Sequence, residues 1–150
     1  MPALFLIAHA PLASALRAAA RHAFPELSEG LAAYDVRPEA SPEQTAREVI
    51  SALEALGEGE VLVLADVFGA TPCNIVRGLC DDERRELRVA VGVNVPMLWR
   101  AINHRDRPLD ELLGIALDGA RNGVMAVAPT RPQNQETRPP DHDQANRHDQ

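Results

Sequence analysis

Two short apolar runs, each ending on an ionisable residue, constrain this chain more than anything else in it. Ala3-Leu4-Phe5-Leu6-Ile7-Ala8 stops at His9, and Val61-Leu62-Val63-Leu64-Ala65 stops at Asp66. Neither run has a helical period, and both read as short buried strands. In open parallel α/β sheets, ligands and chemistry collect at the carboxyl ends of such strands. His9 and Asp66 are therefore the candidate active-site pair.

The segments between these runs support the same architecture. After His9, Pro11 suits a helix start, and Leu12, Leu16, Ala19, Ala20 and Ala23 recur at helical spacing as far as Phe24-Pro25. Residues 31–36 form a weaker second strand. Ser41-Pro42-Glu43-Gln44 carries a capping serine, a first-position proline and a Gln placed to reach back, predicting a helix to about Leu56 that stops at Gly57. Thr71-Pro72 repeats the cap-then-proline pattern. A fourth strand over 87–93, helices over 97–103 and 108–119, and a last apolar segment over 124–128 complete the pattern.

Alternating strands and helices predict an α/β fold: an open, mostly parallel sheet with helices on both faces and right-handed crossovers. With strand one central, strand two on one side and strand three on the other, the switch point falls between strands one and three. His9 and Asp66 then meet at the mouth of the crevice, within hydrogen-bond reach. At 150 residues the chain suits one domain, taken as 1–128. Residues 129–150 form a polar tail: from Thr130 onward a single alanine is the only ordinary apolar residue, so the segment is expected to be disordered.

Composition removes several function classes. All fifteen cationic residues are arginines, which excludes lysine-dependent phosphate loops, Schiff-base enzymes and pyridoxal enzymes. A net charge of -7 with only 3% aromatics argues against nucleic acid. Two cysteines, Cys73 and Cys80, do not make a disulfide framework. The first apolar run is too short for a signal peptide, and nothing approaches a membrane span, so a cytoplasmic protein without membrane insertion is expected.

A carboxylate beside a histidine fixes the ring tautomer and leaves the other nitrogen a better base or nucleophile. The loop after Asp66 suggests what that nucleophile attacks. Gly69, Ala70 and Thr71, at the start of the helix at Pro72, offer backbone N–H groups and a hydroxyl suited to a phosphoryl group. Phe68 reads either as core or, lying in a site loop, as an apolar contact for a docking partner, and Pro11 is assigned with it to partner docking. Cys73 offers a rival chemistry, a cysteine–histidine pair with His9, against the commoner role of a small core residue. Met97 and Trp99 read as core or dimer contacts.

Three blocks occur in order: Phe5-Leu6-Ile7-Ala8-His9, Ala65-Asp66-Val67-Phe68-Gly69-Ala70-Thr71-Pro72-Cys73-Asn74, and Gly92-Val93-Asn94-Val95-Pro96-Met97-Leu98. Together they resemble the mannose-family IIA domain of the phosphoenolpyruvate-dependent sugar phosphotransferase system, across about residues 3–128. The resemblance implies a cytoplasmic homodimeric phosphocarrier with an open α/β fold and a last strand that runs antiparallel or is exchanged in the dimer. His9 would accept the phosphoryl group from phospho-HPr through Nε2 and pass it to a IIB-type partner, in sugar uptake or in a regulatory phosphorelay. Asp66 would hold Nδ1, and Thr71 with nearby amides would contact the phosphoryl group. Neither a metal nor an organic cofactor is implied. Ala10 and Ala70 stand where the family commonly has glycine. Two other roles fit the same residues: a non-catalytic regulatory binding module, or the phosphoryl-donor subunit of a dihydroxyacetone kinase.

Overall fold

A computed structural model describes residues 1–27, 29–67 and 85–128. Four strands, β1 (Ala3–His9), β2 (Leu31–Val36), β3 (Gly59–Ala65) and β4 (Arg85–Val91), form a parallel sheet in the order β2-β1-β3-β4. Four helices are described with them: α1 (Leu12–Ala23), α2 (Pro42–Glu54), α3 (Val95–Asn103) and α4 (Leu109–Asn122). The predicted α/β class, the parallel pairing and the central place of β1 all hold.

Side-chain alternation along β1 divides the interior in two. Leu4, Leu6 and Ala8, with Leu62 and Leu64 of β3, pack against α1, α3 and α4 through Leu16, Met97, Leu98 and Leu112. Phe5 and Ile7, with Val61, Val63 and Ala65, face the other way onto Val49 and Leu53 of α2. Helices thus cover both faces. Each fully buried leucine, isoleucine or phenylalanine contributes about 1.5–3 kcal/mol, which is why the two apolar runs define the sheet centre.

The helix boundaries follow local chemistry. Ser41 accepts the Gln44 N–H on its hydroxyl at 3.1 Å and Pro42 occupies the first turn, as predicted for α2. The helix proper ends at Glu54, two residues short of the predicted stop, and a turn carries the chain to Gly57 at φ +85°. At α3, Asn94 caps by accepting the Met97 N–H at 2.9 Å and also donates to the Ala120 carbonyl of α4. Pro96 lies in its first turn, so α3 starts at Val95, two residues before the predicted start.

β4 runs over Arg85–Val91 rather than 87–93. Gly92 stops it: at φ +86° the chain turns, and its N–H donates back to the Ala65 and Asp66 carbonyls at the end of β3. The last apolar segment stays unpaired in the single chain. Residues 124–128 form no strand within this chain, either antiparallel or otherwise, and Val124, Met125 and Val127 are 76%, 72% and 86% exposed. An apolar strip adopts strand geometry only when it has an edge to pair with and a face to cover, and the chain's own core has already closed without it.

Candidate functional site

The sheet order places the switch point where expected. From β1 the chain crosses to β2 on one side and later returns to β3 on the other, opening a crevice at the carboxyl edge between β1 and β3. The register pairs Ile7 with Ala65, so His9 and Asp66 leave their strands at nearly the same height.

They are bonded to one another. Asp66 Oδ2 lies 2.7 Å from His9 Nδ1 and accepts the His9 backbone N–H at 3.0 Å; its other oxygen, Oδ1, accepts the Val67 N–H at 2.8 Å. The Asp66 side chain is 10% exposed and the His9 side chain 54%. Burial alone would raise the Asp66 carboxyl. The His9 N–H, the His9 ring, the Val67 N–H and the charge of the ring outweigh burial and hold it below the ordinary carboxylate range.

An ionised Asp66 is an acceptor only, so Nδ1 carries the proton of the bond between them. In a neutral ring the lone pair then sits on Nε2, and among the described residues nothing bonds that nitrogen. The arrangement can act as a nucleophile or as a base toward a substrate arriving at the exposed side of the ring.

The remaining predicted site residues divide simply. Pro11 is exposed at the N-cap of α1, its carbonyl accepting the Ala15 N–H and the Ser14 hydroxyl. Phe68, Gly69, Ala70 and Thr71, with Cys73 and Cys80, lie outside the described residues. Met97 is core, whereas Trp99 is 41% exposed and meets Phe24 edge to face at 6.3 Å. Among the described residues no cluster of three or more metal-ligating side chains occurs, and no helix is long and apolar enough to cross a membrane.

One polar residue beside the site escaped sequence reasoning. Asp35 of β2 accepts the backbone N–H of Ser14, in the first turn of α1, at 3.0 Å. The available signal was an acidic residue next to last in an otherwise apolar strand, the same place in the sheet at which His9 and Asp66 stand out.

The comparisons with known proteins agree with this architecture. The family profile described as "PTS system fructose IIA component" matches residues 3–113. Comparison with curated proteins returned no match. Among solved structures, the mannose/sorbose-specific IIA subunit of the phosphotransferase system from Enterococcus faecalis is 26% identical, with a TM-score of 0.79 over 87% of this chain and 97% of its own. Component EIIA from Streptococcus agalactiae is 21% identical, with a TM-score of 0.74 over 84% and 97%. The IIA protein associated with the fucose utilization operon of Streptococcus pneumoniae is 19% identical, with a TM-score of 0.70 over 83% and 92%. The latter two likenesses show the fold.

Proposed function

Since this chain belongs to the fructose- and mannose-type IIA family of the sugar phosphotransferase system, we propose that it is a cytoplasmic phosphohistidine carrier working through His9. The observation that carries this is the bond between His9 Nδ1 and Asp66 at the mouth of the β1–β3 crevice. Nδ1 is engaged, so Nε2 is the nitrogen left to react.

The chemistry is a displacement at phosphorus. The Nε2 lone pair attacks the phosphoryl group of phospho-HPr, a new P–N bond forms, and the donor's P–N bond breaks with its electron pair returning to the donor imidazole. Asp66 keeps the Nδ1 proton in place and stabilises the positive charge that develops on the His9 ring. In the second half the bond to Nε2 breaks in turn, and the phosphoryl group passes to a IIB-type partner. Gly69, Ala70 and Thr71 are assigned the phosphoryl oxygens on their residue types and place in the chain. Phe68 and Pro11 are assigned to the rim that the partners touch.

A homodimer completes the proposal. β4 is an edge strand, and 124–128 is an exposed apolar strip in the same chain. Exchange of that strip between two copies would give it an edge to pair with and cover its side chains. Residues 1–128 would form the folded unit, with 129–150 as a polar tail.

The test is phosphoryl transfer in vitro from phosphoenolpyruvate through enzyme I and HPr, read by intact mass and acid lability. One acid-labile phosphoryl group on wild type, absent from His9→Ala, is the expected result. A folded wild-type protein that takes up none would overturn the carrier role in favour of a binding module.

A further inference from the structure

The amino terminus of α1 lies three residues beyond His9, yet this helix brings no acid of its own. Its first turn holds no Asp or Glu, and Pro11 at the N-cap supplies no side-chain acceptor. A carboxylate reaches it from another strand instead: Asp35 Oδ1 accepts the Ser14 N–H at 3.0 Å. Ser14 is further tied by its hydroxyl to the Pro11 carbonyl at 3.0 Å.

The register ties the same carboxylate to the histidine. Asp35 pairs with Ala8, and Val36 pairs with His9, while the Ala10 N–H donates to the Val36 carbonyl at 3.0 Å. Adjacent strands lie about 4.8 Å apart with a rise of about 3.3 Å per residue, so the Asp35 and His9 backbones are about 6 Å apart. Asp35 therefore stands at the only stretch of β2 that borders the His9 end of β1.

We propose that Asp35 is a positioning residue that sets how tightly His9 holds its phosphoryl group. Given the carrier role above, this carboxylate has two effects. It fixes the first turn of α1 beside the histidine, and it offsets the positive end of that helix. An uncompensated helix terminus and a dianionic phosphoryl group attract each other, which deepens the phosphorylated state. A carrier has to release its phosphoryl group to the next protein, so a negative charge held close to the site keeps transfer near balance.

The magnitude is modest and measurable. A unit charge about 10 Å from a dianion in water-like surroundings shifts an equilibrium about fourfold when unscreened and about 1.5-fold under ordinary salt screening. Asp35→Asn is the informative variant, because an asparagine oxygen caps a helix about as well as aspartate while the charge is gone. Asp35→Ala removes both.

The experiment brings the protein to equilibrium with phospho-HPr and HPr and measures the ratio of phosphorylated to free protein by intact mass. At about 0.01 M salt Asp35→Asn should raise the ratio of phosphorylated to free protein about two- to fourfold, with the gap closing in about 1 M salt, where the screening length is about 3 Å. Unfolding midpoints should be near wild type for Asp35→Asn and lower for Asp35→Ala. A wild type that is phosphorylated normally, with an Asp35→Asn equilibrium equal to it at low salt, overturns this proposal alone. A wild type that accepts no phosphoryl group overturns the carrier role and this proposal with it.

Discussion

A single oxygen of Asp66, Oδ2, accepts both the backbone N–H and the ring Nδ1 of His9, at 3.0 and 2.7 Å. Backbone and side chain of the histidine are thereby held to one carboxylate on the neighbouring strand. The ring cannot turn without leaving that acceptor, so the direction of Nε2 is set by the sheet register rather than by the histidine rotamer alone.

Replacing Asp66 by Asn should keep the shape and lose the charge. A hydrogen bond to a charged group is worth about 1.5–3 kcal/mol, so phosphoryl acceptance by His9 should fall about ten- to a hundredfold. Single-turnover transfer from phospho-HPr measures this. Acceptance at the wild-type rate would remove Asp66 from the chemistry.

His9→Ala should abolish acceptance while leaving the fold in place. The side chain is more than half exposed and takes no part in either core cluster. Circular dichroism and a thermal melt of the variant should match wild type to within about 0.5 kcal/mol beyond the loss of the Asp66 bond. Phosphorylation that persists in this variant would mean that another nucleophile carries the group.

Stability should depend on pH through Asp66. Its carboxyl is held below the ordinary value in the folded chain, so the unfolded state binds the proton more readily and stability rises with pH. The contribution is fully present above the unfolded value, about pH 4, and is lost as pH falls through the lower folded one. Urea unfolding of wild type and Asp66→Asn should show a gap that is widest near neutrality and narrows in acid. A gap that widens in acid would contradict the sign.

Ser41→Ala should lower stability by about 1 kcal/mol, the usual cost of losing an N-cap acceptor, without touching transfer. The α2 start lies at the surface, and its cap bond is local. Reduced transfer with unchanged stability would be the contrary outcome.

Self-association should depend on the exposed strip. Val127→Asp places a charge in the segment proposed to be exchanged, and sedimentation should show a shift toward monomer. A dimer of undiminished affinity would place the contact elsewhere.

Much of this fold was legible because its signals are local. Continuous apolar runs of five or six residues identify β1 and β3 without any partner in view, since burial on both faces leaves no polar position to interrupt them. Ser41-Pro42 and Asn94-Val95-Pro96 mark helix starts through bonds that span three residues. Gly92 was visible in the sequence but its conformation was not, so β4 was placed two residues late.

What the amino-acid order determined by itself was the four strands and four helices described above and the two ionisable ends, His9 and Asp66, because each depends on neighbours within a few positions; the helix expected at Thr71-Pro72 lies outside the described residues. Tertiary structure alone decided the rest. Which oxygen holds which nitrogen follows from the register of β1 against β3, a pairing across 57 positions of sequence. That Asp35 caps a helix it does not belong to follows from β2 lying beside β1. The apolar strip at 124–128 finds no strand in its own chain because pairing needs a free edge and an uncovered face together. Such relations depend on where distant segments come to rest, and no local spacing encodes them.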